Sequence, residues 1–246
     1  MKKMKLILVA LMALTVGTSW GQTTTPHVAI GDILCESGNT VRREQWSSTS
    51  GETPIGIVFY VEYREGGWHG SAISLEEAHH LRWADAGYDN TIWGNTATTV
   101  VKEAVSDWNG AANTQYIVEE IGANLTEANY PALWYVKHYR EEHTGENWYL
   151  PAMGQLHYLY GYIDEINATA AVLNAASAST ATPFAAGEDF PNGDWSYWPS
   201  TEYKQAYKIW FLNYNGDCAD VASATSTTAT PAQKSDYKRV RAAIDF

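Results

Sequence analysis

Apolar and polar residues alternate in two different rhythms along this chain, and the rhythm changes near residue 96. Before that point the pattern has a period of two. "VAIGDILCESGNTV" gives two short apolar runs separated by Gly31-Asp32 and then by Ser37-Gly38-Asn39, which predicts a strand, a turn and a second strand. In "PIGIVFYVEY", Ile55, Ile57, Phe59 and Val61 alternate with Gly56, Val58, Tyr60 and Glu62. Both sets are largely apolar, so the segment is expected to be a central strand buried on two faces.

From Thr96 the spacing becomes helical. Val100, Val101, Ala104, Val105 and Trp108 predict a first helix, with Thr98 or Thr99 capping its start and Gly110 ending it. Ile117, Val118 and Ile121 suggest a second helix that closes at Gly122. A third begins at Pro131 and carries Ala132, Tyr135, Val136 and Tyr139 on one stripe. A fourth runs from Pro151 through Leu156, Leu159, Tyr160, Ile163, Ile166, Ala170 and Leu173. Gly161 weakens it by about 1 kcal/mol relative to alanine.

The small-residue stretch from Ala175 to Gly187 is expected to be a loop. Asn215-Gly216 lies between two apolar runs and signals a hairpin. The polar "ATSTTATPAQKSD" separates this hairpin from "YKRVRAAIDF". There Val240, Ala242, Ile244 and Phe246 should face the core while Arg239, Arg241, Ala243 and Asp245 face water. Strands at both ends with helices between predict one α+β domain whose termini share a sheet.

Composition adds a compartment. Residues 1–21 combine Lys2, Lys3 and Lys5 with an apolar run from Leu6 to Val16 and small residues at Ser19 and Gly21. That is the order of a secretory signal peptide, and the run is too short for a stable membrane span. Cleavage before Gln22 would leave a leader over 22–30 and a single domain over 31–246, secreted to the periplasm or outer cell surface. It would also take the formal charge from −12 to −15. An acidic chain repels phosphate backbones, so no nucleic acid partner is expected, and no membrane insertion after cleavage. Cys35 and Cys218 are the two cysteines; they are compatible with a bridge or with two separate thiols.

Six separated motifs carry a resemblance: "GDIL", "PIGIVFYVEY", "WNGAANT", "NWYLPAMGQL", "YWPSTEY" with "IWFLNYNGD", and "RVRAAIDF". In this order the chain resembles the Lcl-type C-terminal domain family of secreted bacterial proteins. The resemblance implies a C-type-lectin-like fold related to that of formylglycine-generating enzymes. It further implies a small twisted, mainly antiparallel sheet joining both termini, flanking helices and long loops that carry any ligand site. Family members resemble binding or surface proteins without assigned activity. The chain departs from the family where a Ser or Thr normally caps a helix. Here Leu150-Pro151-Ala152-Met153-Gly154-Gln155 keeps only Gln155 to return a hydrogen bond.

The stretch "GDWSYWPSTEYKQAYKIWFLNYNGD" holds three tryptophans and four tyrosines. Trp198 and Trp210 lie near strands and fit a core. Trp195 and Tyr197 lie in "GEDFPNGDWSY", a polar, glycine-rich loop, and fit a ligand surface, where a ring covers the apolar face of a sugar and amides or carboxylates take its hydroxyls. Asp189, Asn192, Asp194, Glu202, Asn213 and Asp217 are the candidate polar partners. Neither a metal nor another cofactor is expected, because the oxygen donors Asp189, Asn192 and Asp194 fall short of a calcium shell and the histidines and cysteines are dispersed. Glu119-Glu120 and Glu141-Glu142 are neighbours on predicted helices and fit solvated faces. His69 fits a structural role in a turn.

The expected function is therefore a non-enzymatic binding or adhesion module for a carbohydrate or protein ligand. The rivals are a hydrolase or transferase acting on glycans through loop carboxylates, recognisable by a cleft with two facing acids, and a structural subunit of a surface assembly.

Overall fold

The computed structural model describes residues 27–47, 51–90, 92, 97–142, 147–176, 180–184, 196–212 and 229–246. The signal segment, the Asn215-Gly216 turn and Cys218 lie outside the described residues. The architecture is α+β, with mainly antiparallel sheets and helices between the first strands and the last.

The central sheet has five strands: β1 (Ile33–Cys35), β2 (Thr40–Val41), β3 (Pro54–Arg64), β4 (Gly67–Ser74) and β11 (Ala243–Asp245), in the order β11-β4-β3-β1-β2. The ends of the domain thus share one sheet as expected, joined through β3 and β4 rather than directly. The "GDIL" motif shapes its entry. Gly31 takes a positive φ of 86°, open to glycine at no steric cost, and its carbonyl accepts the Thr169 hydroxyl at 2.6 Å. The Asp32 carboxylate accepts the Ala29 N–H at 2.8 Å and closes the turn.

β3 is buried on both faces, but its alternation is interrupted. The pairing with β4 steps from Val58↔Ala72 to Tyr60↔Ser71, leaving Phe59 as a bulge. Phe59 and Tyr60 consequently both pack on the side of the first core cluster, although they are consecutive. That cluster joins Ile33, Ile57 and Ile73 to α4 (Met153–Tyr160) and α5 (Ile163–Ala175). A second cluster joins Leu34, Val58, Ala72 and Ile244 to α2 (Gly110–Ile121) and α3 (Pro131–Glu142) on the opposite face. Cys35 carries a buried thiol in the first cluster, and burial pushes its pKa up to about 11.

Four expectations change. The helix expected over Thr98–Gly110 is a single turn, α1 (Val101–Ala104), and Gly110 begins α2 instead of ending α1. The Asp107 side chain accepts the Asn109 N–H at 3.0 Å and turns the chain there. Gly110 then sits so close to α4 that a Cβ on it would lie 2.2 Å from Gln155 Oε1. The long fourth helix breaks at Gly161, giving α4 and α5.

"ATPAQ" in the expected polar spacer is a strand, β9 (Ala229–Gln233), which pairs with β8 (Lys208–Leu212) in a four-stranded sheet. β6 (Ala97–Thr98) and β7 (Glu202–Tyr203) complete that sheet, in the order β6-β7-β8-β9. Pro231 is accommodated because β9 lies on the edge. Finally, the closing strand divides into β10 (Tyr237–Val240), paired with β5 (Ala78–Arg82), and β11. Its arginines do not face water: Arg239 and Arg241 are buried. No helix among the described residues is long and apolar enough to cross a membrane.

Candidate functional site

Buried arginines need an acceptor, and Glu77, immediately before β5, supplies it. Its fully buried carboxylate pairs with Arg239 through Oε1 and with Arg241 Nε at 3.1 Å through Oε2. The Tyr197 hydroxyl donates to Oε2 at 2.6 Å, and His79 Nε2 lies 3.3 Å from Oε1. The Arg241 guanidinium also covers the Phe184 ring at 4.0 Å and donates to the Thr182 carbonyl. One carboxylate therefore ties β5, β10, the residue after β10 and the strand-like stretch at 197. Breaking such a pair strands a charge in the interior, at a cost of about 3–5 kcal/mol.

The segment Tyr197–Glu202 continues this internal wiring residue by residue. Trp198 Nε1 donates to the Leu81 carbonyl at 2.8 Å, and the Pro199 carbonyl accepts Trp83 Nε1 at 3.1 Å. The Thr201 hydroxyl donates to Asp107 Oδ2 at 2.6 Å and accepts the Met153 N–H at 2.9 Å. The α4 start, which lacks its own capping hydroxyl, thus receives one from a distant segment. Gln155 returns the other bond, accepting the Ala152 N–H at 2.9 Å. Asp107 Oδ2 also accepts from Asn113 at 2.8 Å, so the same carboxylate links α2 to α4.

Glu202 ends the segment in a second buried pair. Its carboxylate bonds Lys234 Nζ and accepts the Ile92 N–H at 2.9 Å. The ammonium also donates to the Asn90 carbonyl at 2.8 Å and lies 4.4 Å from the Trp83 ring centroid. Burial outweighs the pairing at both ends: it raises the Glu202 carboxyl above its ordinary range and lowers Lys234 below its own.

Of the candidate ligand residues, then, Tyr197 and Glu202 are wholly enclosed and occupied with internal partners. Trp195, Asp189, Asn192, Asp194, Asn213 and Asp217 lie outside the described residues, as do the three weighed as calcium donors. Trp198 and Trp210 are core, as expected. His69 lies within β4, past the Glu65-Gly66 turn.

The described residues that flank the two segments bearing the remaining candidates do meet. The Leu212 N–H reaches the Tyr197 carbonyl at 3.4 Å, Leu212 pairs with Ala229 across the β8–β9 hairpin, and the Arg239 N–H donates to the Ser196 carbonyl at 2.9 Å. The chain segments that carry Trp195 and Asn213 both attach to the scaffold at this junction.

A cleft of about 790 Å³ opens elsewhere, between α2 and α3. Leu133, Val136 and Trp148 form an apolar wall. Gln115 and Glu119 from α2 and Lys137 and Glu141 from α3 supply the polar groups. Gln115 Nε2 donates to Glu119 at 2.8 Å, while Lys137 and His138 lie 3.9 and 3.8 Å from Glu141. Glu119 and Glu141 are exposed, as solvated faces should be, yet they line one cleft. The cleft between α2 and α3 creates this arrangement, and spacing within either helix carries no signal of it. The chain matches no protein-family model, no curated protein and no solved structure.

Proposed function

We propose that this chain is a secreted bacterial binding or adhesion module of C-type-lectin-like fold, related to the Lcl-type C-terminal domains, acting at the cell surface or in the periplasm. It engages a carbohydrate or protein ligand through loops and performs no catalysis. The observation that supports this most is the junction at Ser196, Tyr197 and Leu212. Two long connections leave the scaffold side by side where buried ion pairs hold it rigidly, an arrangement suited to presenting loops on a fixed base.

A glycan array probed with residues 22–246, with and without calcium, tests the reading. A Trp195→Ala variant that retains its thermal transition but loses binding supports a loop site. Unchanged binding moves the ligand elsewhere. Tyr197 is unsuitable for this purpose because its hydroxyl holds Glu77.

The α2–α3 cleft favours a second reading, glycan hydrolysis or transfer by Glu119 and Glu141. Release of reducing ends from a glycan panel, abolished by Glu119→Gln and by Glu141→Gln, would replace the binding reading with that one.

A further inference from the structure

The cleft between α2 and α3 has the shape of a groove. On α2 its lining residues are Ala111, Thr114, Gln115, Val118 and Glu119, spaced three and four apart, so they form one stripe along the helix. On α3 the stripe is Leu133, Val136, Lys137 and Glu141. Each stripe extends about 12 Å at the helical rise of about 1.5 Å per residue.

Each helix has its own anchor below. The Thr114 hydroxyl donates to the Leu150 carbonyl at 3.2 Å and accepts the Leu150 N–H at 3.0 Å, while the Tyr139 ring meets Trp148 edge-on at 4.8 Å. Two parallel walls are thereby held over a common floor, to which Trp148 and Tyr149 contribute.

The mouth of the groove carries more negative than positive charge. Glu119 and Glu141 stand on opposite walls, and Lys137 is the one cation among the described residues that line it. Lys137 already lies 3.9 Å from Glu141, whose other oxygen faces His138 at 3.8 Å; Glu119 accepts from the neutral amide of Gln115 at 2.8 Å. Ala111 is exposed and Val118 half-buried, so apolar surface lies beside these acids.

We propose that the α2–α3 groove binds an extended peptide segment in which lysine or arginine alternates with apolar residues. Shape sets the form of the ligand: about 12 Å holds roughly four residues of extended chain, and a volume of about 790 Å³ takes their side chains. Alternation follows, because successive side chains of an extended segment point to opposite sides, one row toward the apolar floor and the other toward the rim. Charge sets the sign. A cationic side chain is attracted by Glu119 and Glu141, an acidic one is repelled by both, and an uncharged one removes water from them without replacing it. The net charge of −12 adds attraction at longer range. This site goes beyond the loop reading and beyond turnover in the cleft, since it needs neither Trp195 nor a broken bond.

Fluorescence anisotropy of residues 22–246 with three labelled pentapeptides tests it: Val-Lys-Val-Lys-Val and its glutamate and glutamine counterparts. The lysine peptide should bind about tenfold more tightly than either counterpart and weaken as salt rises. Glu119→Gln should lower its affinity several-fold. Ala111→Trp, which fills the groove from an exposed helical position, should abolish binding. Glu65→Gln, in the turn between β3 and β4, should leave binding unchanged, as should Trp195→Ala. Thermal transitions establish that the variants fold, and Glu119→Gln serves if Ala111→Trp does not.

Equal binding of the three peptides overturns the proposal, as does absence of binding by the lysine peptide or binding indifferent to both groove variants. Equal weakening by Glu119→Gln and Glu65→Gln overturns it too, because overall charge and not the groove would then be responsible. Each of these outcomes leaves the loop site standing, since the glycan array tests that site separately.

Discussion

Tyr197–Glu202 and the Tyr60–Trp108–Tyr158–Tyr162 cluster use much the same residue chemistry at different depths. In the first, each ring or hydroxyl that carries a polar atom has it matched inside the fold: Tyr197 to Glu77, Trp198 to Leu81, Thr201 to Asp107. In the second, the rings pack on one another at partly exposed positions, and the phenols bond to one another or lie beside a surface carboxylate. Aromatic richness alone therefore does not indicate a ligand site. What separates the two regions is depth: a buried ring needs its polar atom matched inside the fold, whereas a ring near the surface can also leave it to water.

The sharpest way to break the first region is at Glu77. Glu77→Ala leaves two buried guanidinium groups without their shared acceptor and should cost about 3–5 kcal/mol in urea unfolding. Lys234→Met should cost about 3 kcal/mol, because it leaves the Glu202 carboxylate buried without its cation. Adding Glu202→Gln should recover much of that loss, and a double-mutant cycle reads the coupling. Thr201→Val removes the acceptor for the Met153 N–H and a donor to Asp107, and should cost about 2 kcal/mol.

Trp108→Ala provides the contrast. Only ring packing at a partly exposed position is lost, so stability should fall by about 1 kcal/mol in urea unfolding. A cost as large as that at Glu77 would show that the surface rings matter to the fold as much as the buried ion pairs do.

The smallest effect belongs to Glu52, on the surface. Hydrogen bonds from Ser37 and Asn39 hold its carboxyl below the ordinary 4.5. The folded value lies below the unfolded one, so the stabilisation is present above pH 4.5 and is lost as pH falls through the folded value. Glu52→Gln should flatten the acid limb of the melting-temperature profile slightly and leave the neutral plateau in place.

Helices and the central strand were legible because their patterns are local. Val118, Ile121 and Gly122 define the end of α2, and Pro131 starts α3 where the sequence indicates. What escaped is what distant residues decide. Arg239 and Arg241 look like the wet face of an alternating strand until Glu77 is brought from the other end of the chain. β4 and β5 leave little pattern in the sequence, since His69, His79 and His80 dilute their apolar positions. Gly110 resembles a helix terminator and is instead a close-approach residue opened by α4.

Polar neighbours in sequence make Tyr197 and Glu202 look like ligand groups. Their actual neighbours, Glu77 and Lys234, are far along the chain. The Tyr60 cluster left no single-segment signature, since its four members come from four places.

Glu77 and Arg239 are 162 positions apart, and the hydrogen bond between Ser74 and Ala242 spans a similar distance. Until β10 and β11 arrive, β4 has an open edge and the Glu77 carboxylate has no cation to neutralise it. The interior is thus completed by contacts between residues more than 160 positions apart, closures of the kind that slow folding. A nascent chain halted before residue 237 would hold α2 to α5 and most of the central sheet, and still lack the charges that lock them together.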